Sequence, residues 1–430
     1  MMIRVAVKVS RAATSAARSA SLGQTSSRPC GPSLLSPPPF RSLHDANPVA
    51  LQMINYALSH ARSQKSDESY AQGLLVLEQC LSTQPSEGQD AENSRGLVLL
   101  AMSTLFSERG NFGEAVEKLQ RIEDLKHSSL GVRVAALEAL VGLHLELGQD
   151  DSSSVIAEKC LELVEKEDAK AGVGNPEVLS ARAKAAKGMV ELVRGNLELA
   201  ETCLQGCKDS EGITGSIGLS YGELLHASQN FSLAKEAYQK VIQRASENKD
   251  FSDLNALAAC NLSSEEVLLA ATCALGQLEA HMGNFGDAEE MLTRALSKTE
   301  EHFGPHHPKV GVVLTCIALI FRRKAMQERS SSLLIQEGLY RKAIELLKAP
   351  PVDTDDTEAK ADKTDIVALA RGGYAEALCV QQNRKVQGEK MKSWAEAAWR
   401  NRRLSLAEAL EISEPSSKVP VIDARTCRVI

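Results

Sequence analysis

The sequence predicts an all-α chain of stacked antiparallel helix pairs, and three observations predict it. Aromatic residues are only 4% of 430, and stretches rich in Val, Ile, Thr and Tyr with period two are few, which argues against a sizeable sheet. A short motif, Gly-Asn-aromatic with a small residue three places on, recurs along the chain. Apolar residues before and after each copy fall at helical spacing rather than in alternation.

Residues 1–44 come first. They carry Arg4, Lys8, Arg11, Arg18, Arg28 and Arg41 with no Asp or Glu, and Arg4, Lys8, Arg11 and Arg18 fall near one helical face opposite Ile3 and Val7. This is the pattern of a mitochondrial matrix presequence; a plastid address is the alternative, and no continuous apolar core of the secretory kind is present. Pro29, Pro32 and Pro37–Pro39 cannot continue that helix, and processing is placed near Arg41–Leu43. Removing six positive charges from a formal total of −7 leaves −13 on the remainder. An acidic body repels nucleic acid backbones, so nucleic acid is disfavoured as a partner.

Residues 45–349 hold the repeats. GNFGEA at Gly110–Ala115 and GNFGDA at Gly283–Ala288 are nearly identical, with GNLELA at Gly195–Ala200, QNFSLA at Gln229–Ala234 and GLYRKA at Gly338–Ala343 as variants. Two helices joined by a tight turn pack closely only where the crossing carries small side chains, which Ala115, Ala200, Ala234, Ala288 and Ala343 supply. One helical turn on come Leu119, Leu204, Tyr238, Leu292 and Leu347. Tyr70, Gly73, Leu77 and Cys80 keep the same spacing in a degraded copy; Ser153, Ala157 and Cys160 keep part of it. Cys80, Cys160 and Cys207 therefore fall in a small packing row. The first helices bring Gly222 and Gly276 to equivalent close approaches. The longest apolar run, Val310–Phe321, has 12 residues and reads as a buried helix, too short to span a bilayer.

This small–bulky–small pattern on the second helix resembles the tetratricopeptide repeat family, over about residues 47–349. The long repeat intervals and the Gly-Pro-x-His-Pro turn at Gly304–Pro308 resemble the extended repeats of kinesin light chains; no asparagine row lines the first helices, so motor-cargo function is not carried over. The resemblance implies a right-handed superhelical solenoid of about seven helix pairs, whose first helices form a concave wall. On that wall it implies a groove for a partner peptide or helix, lined by Leu100, Thr104, Glu138, Met189, Leu192 and Glu223, and further along by His226, Gln277, His281, Leu319 and Arg322.

Beyond the array, residues 350–365 read as an acidic loop and 366–412 as a capping helix pair, its helices around Asp365–Gln382 and Lys385–Leu410. Residues 413–430 read as a flexible tail. Its Cys427–Ile430 ending superficially fits prenylation, which competes with organelle import. The basic run Asn383–Arg403, with Trp394 and Trp399, offers the alternative function, an organellar RNA-binding or RNA-processing accessory protein.

No motif for catalysis appears: no placed carboxylate pair, phosphate loop or nucleophile–His arrangement. His302, His306, His307 and Cys316 invite a metal reading, but Pro305 and Pro308 put the histidines on an inter-repeat turn. The ten cysteines form no Cys-x-x-Cys pair. The expectation is a non-enzymatic protein-interaction scaffold, without cofactor, metal or small-molecule substrate.

Overall fold

The computed structural model describes residues 46–85, 88–168, 176–205, 215–247, 257–328, 332–351, 364–411 and 418–430. The presequence reading and the packing assigned to Cys207 lie outside them.

Among the described residues the chain is helical from end to end, closed by one small hairpin. The helices are α1 (Pro48–Gln64), α2 (Asp67–Thr83), α3 (Gln89–Glu108), α4 (Phe112–Glu123), α5 (Leu130–Glu146), α6 (Asp150–Asp168), α7 (Pro176–Arg194) and α8 (Leu197–Gln205). They continue with α9 (Gly215–Ala227), α10 (Phe231–Glu247), α11 (Ser264–His281), α12 (Phe285–Phe303), α13 (Pro308–Gln327) and α14 (Leu333–Leu346). After the acidic segment come α15 (Thr364–Cys379), α16 (Lys385–Ala398) and the short α17 (Leu406–Leu410), then β1 (Ile422–Asp423) antiparallel to β2 (Arg428–Val429). Successive helices pack as pairs, α1 with α2 through α13 with α14, and α15 with α16 follows as an eighth.

The recurring motif builds the turn within each pair. Gly110, Gly195 and Gly283 take φ of +75°, +81° and +85°, a region that costs a side chain-bearing residue strain. The following asparagine ties the turn back to its own first helix: Asn196 Nδ2 donates to Glu191 (2.6 Å) and Asn284 Nδ2 to Glu279 (2.8 Å). Its backbone carbonyl then accepts the first bond of the second helix, as from Ala288 N to Asn284 O (3.0 Å).

At the crossings Ala115, Ala200, Ala234, Ala288 and Ala343 are fully buried, with Leu119, Leu204, Tyr238 and Leu292 beside them. A Cβ on Gly276 would stand 2.8 Å from Leu292 Cγ, so the two helices close to a distance only glycine permits. Cys80 and Cys160 are buried in the same row, behaving as small apolar side chains.

Two local expectations are corrected. Gly338 does not make a turn: it lies inside α14, and the connection from α13 falls before Leu333. Ala343 keeps its crossing role, so the packing row is right where the turn reading is wrong. The last helix does not run from Lys385 to Leu410. It stops at Ala398, because the Asn401 side chain accepts from the Arg403 and Leu404 amides (2.9 and 2.7 Å), an alternative to helical bonding. Ser405 and Glu408 then open α17 with a capping box.

The array curves far enough for its start to meet its later units. Arg62 of α1 pairs with Glu108 (2.6 Å) and reaches Glu265 at the head of α11 (3.3 Å). No described helix is long and apolar enough to cross a membrane.

Candidate interaction groove

The first helices α3, α5, α7, α9, α11 and α13 supply the inner wall, and two segments of the same chain lie on it. The first, residues 257–263, follows α10. Its Leu257 carbonyl accepts from Arg182 (2.6 Å), and its Cys260 amide donates to Thr104 Oγ1 (3.1 Å). Asn261 donates to the Gly142 carbonyl (2.9 Å) and to Glu146 (3.1 Å). A Cβ on Gly142 would lie 2.2 Å from Asn261 Oδ1, so the glycine is what lets this segment seat on α5.

The second segment is the C-terminal one, and it corrects the expectation of a flexible tail. Residues 420–430 are buried throughout. Between β1 and β2 the turn is organised by Asp423: its carboxylate accepts from the Arg425 amide (2.8 Å) and from Thr426 Oγ1 (2.9 Å). The wall reads both main chain and side chains of the hairpin. Gln277 donates to the Ile422 carbonyl (2.9 Å) and accepts from the Ile422 amide (2.8 Å), the two-way bond of an added strand. Arg425, fully buried, meets Glu223 (2.5 Å), Asp423 (3.0 Å), and Ser216 and Ser220 of α9. Arg428 pairs with Asp150 through two nitrogens (2.6 and 3.1 Å) and with Asp365 (2.9 Å), while donating to the Leu145 carbonyl. Arg403 holds the hairpin's far edge at the Ile430 carbonyl (2.7 Å).

The electrostatics follow from burial. Glu223 is driven well above the ordinary carboxylate range by desolvation, against the pull of Arg425, and the nearby Asp423 charge adds to the rise. Arg425 is held above its usual value by Asp423 and Glu223, which outweigh its own desolvation. Deeper in the wall, burial lifts Glu266 to about 7 even with the Lys309 ammonium against it. Lys309 is held above its usual value because Glu266 and Glu146 outweigh its own desolvation, and it also donates to the Arg425 carbonyl (3.3 Å). His226 is lowered to about 3 by burial, with Arg323 and Arg403 adding to the effect. His226 Nε2 lies 2.7 Å from His281 Nδ1, and its other ring nitrogen 3.2 Å from Tyr238 Oη, so both imidazoles are held neutral in one chain.

The residues named for the groove fall into three groups. Glu223 and Gln277 touch the hairpin directly. His281, Leu319 and Arg322 border a small cavity shared with Ile422 and α17, and Arg322 ion-pairs with Glu376. Leu100 and Thr104 instead face residues 257–259. Glu138 pairs with buried Arg182; Met189 and Leu192 are packed in apolar clusters; and His226 is fully buried. Sequence reasoning did not name Asp150, Asp365, Glu146, Glu266 or Lys309, nor Arg425 and Arg428. The one available signal was an acid and two arginines inside the largely aliphatic VPVIDARTCRVI.

The remaining candidates have structural roles. His307 accepts from the Lys309 amide at the head of α13 (3.2 Å) and stacks on Phe303 (4.5 Å), on the expected Gly304 turn. In the basic run, Arg384 pairs with Glu337, Lys385 with Glu389 and Lys392 with Glu396. Trp394 lies under the Arg371 guanidinium (3.8 Å), and Trp399 Nε1 donates to the Leu404 carbonyl (2.6 Å). Cys427 is fully buried.

Residues 268–309, which span α11, α12 and the Gly304 turn, match the sequence model of the tetratricopeptide repeat family. A search of curated proteins finds no match. Among solved structures, BtubC (BKLC) from P. vanneervenii is 11% identical, with 59% of this chain and 90% of that one covered and a TM-score of 0.40. A signal transduction ATPase with numerous domains, carrying a tetratricopeptide repeat sensor, from Pyrococcus horikoshii is 12% identical over 81% of this chain and about half (52%) of that one, at a TM-score of 0.36.

Proposed function

We propose, from an all-α array whose residues 268–309 are a tetratricopeptide repeat, that the chain is a non-enzymatic scaffold or assembly factor of the mitochondrial matrix that holds a partner protein on its concave wall. One observation carries the reading. The wall grips the hairpin as a peptide receptor does, with Gln277 on the main chain and carboxylates of three helices on two arginines. That chemistry selects and orients a chain. The basic residues 1–44 support the matrix address, with the plastid as the other destination. The RNA-binding alternative is weakened by the ion pairs that engage Arg384, Lys385 and Lys392 of the Asn383–Arg403 run.

Two measurements test it. Residues 1–45 fused to a fluorescent reporter are expected to reach mitochondria, and uniform cytosolic fluorescence removes the address. Proximity labelling from the full chain is expected to mark a recurrent protein set insensitive to RNase; a set that vanishes with RNase points to the RNA alternative.

A further inference from the structure

The C-terminal hairpin behaves as a ligand more than as a repeat. It is the only strand structure among the described residues, and its turn is organised internally by Asp423 with Arg425 and Thr426. Three of its contacts to the wall are remote in sequence: Arg425 lies 202 residues from Glu223, Arg428 278 from Asp150, and Ile422 145 from Gln277. The polar groups are complementary, Arg425 of the hairpin against Glu223 and Arg428 against Asp150 and Asp365 of the array. A segment that brings its own turn and reads the groove through main chain and paired charges has the features of a bound peptide.

We propose that residues 419–430 are an internal ligand that occupies the groove in cis, and that the groove's exchange partner is a segment of another protein with the same chemistry. That segment is an aliphatic-flanked turn carrying an acid and two arginines three positions apart. The array is then shut until such a segment displaces the hairpin, and the order of events is competition rather than addition. Asp150 and Asp365 select the second arginine, and Glu223 with the α9 serines selects the first. The proposal rests on the scaffold reading and refines it.

The test uses the full chain with a protease site inserted between Glu411 and Lys418. After cleavage, a fluorescent peptide with the sequence of residues 418–430 is added and its anisotropy followed, with circular dichroism recording the helices. The expected result is saturable entry of one peptide per cleaved chain, with helicity retained and little entry before cleavage. A peptide carrying Arg425→Glu and Arg428→Glu is expected to bind at least about 30-fold more weakly, the loss that follows when a buried interfacial charge pair is broken. If no peptide enters a cleaved chain that stays helical, or if release of the hairpin unfolds the array, the hairpin is a core element and the proposal fails. If uncleaved chains exchange hairpins to form dimers, the partner is a second copy and the proposal of a different protein fails. Proximity labelling distinguishes the two levels: partners marked equally by intact and cleaved chains leave the scaffold standing on another surface.

Discussion

Replacing Ala288 with Trp tests the packing register on which the groove depends. Ala288 is fully buried on α12, one turn before Leu292, whose Cγ would stand only 2.8 Å from a Cβ added to Gly276 of α11. There is no slack to absorb an indole. Inserting single methylenes into a packed core costs about 1–3 kcal/mol, and an indole is several times larger, so Ala288→Trp is expected to destabilise by at least about 3 kcal/mol. In a repeat array each unit stabilises its neighbours, so the damage extends to the packing of α10 and α13. Glu290, two residues along on the solvent side, is exposed, and Glu290→Ala is expected to change stability by less than about 0.5 kcal/mol. The assay is urea unfolding followed by circular dichroism, comparing midpoints at matched slopes. Equal midpoints for the two variants would refute the register drawn from GNFGDA, and the inner wall would have to be reassigned.

Arg428→Gln strips the charged partner from Asp365, whose side chain is 1% exposed and keeps only the Arg400 amide, and breaks two bonds to Asp150. Breaking one side of a buried pair costs about 3–5 kcal/mol, reduced here because Asp150 is partly exposed. Amide exchange at Val421 and Ile430, which bond each other across the hairpin, should accelerate sharply; unchanged exchange would show that Arg428 does not anchor it. His226 stays neutral in the fold, with its value lowered to about 3, whereas an unfolded histidine protonates near 6.5. The unfolded state therefore binds the extra proton, and His226 withdraws stability as pH falls below 6.5, by up to about 1.4 kcal/mol per pH unit. His226→Gln should lose less stability than the native chain between pH 6.5 and 5, and parallel pH curves would contradict this. Glu266 and Glu223 act with the opposite sign in this range, so the difference between the two proteins is the quantity to measure. Burial raises the thiols of Cys160 and Cys260, the latter to about 12, while Cys203 and Cys379 are partly exposed. A thiol alkylator should modify Cys203 and Cys379 before these two in the folded chain; the reverse order would mean that the core opens readily.

The repeats were legible because their determinants are local. A glycine that must take positive φ, an asparagine that ties back to a glutamate five residues earlier, and an alanine at a helix crossing are each fixed by neighbours within a few turns, so Gly110, Asn284 and Ala288 could be placed from spacing alone. Where local geometry had two solutions the reading failed. Gly338 was accommodated inside a helix, and the Asn401 side chain stopped a run whose composition suits a helix.

What only the tertiary structure decided is what fills the groove. Composition predicts the wall, because first helices must be apolar or small wherever they pack. Occupancy depends on pairs such as Arg425 with Glu223 and Arg428 with Asp150, brought together across 200 or more residues by the cumulative curvature of the stack. No periodicity encodes such a meeting. The sequence VPVIDARTCRVI is too short to make a core and too charged to read as one, and it is buried because the array supplies the carboxylates and main-chain partners that its arginines and peptide groups require.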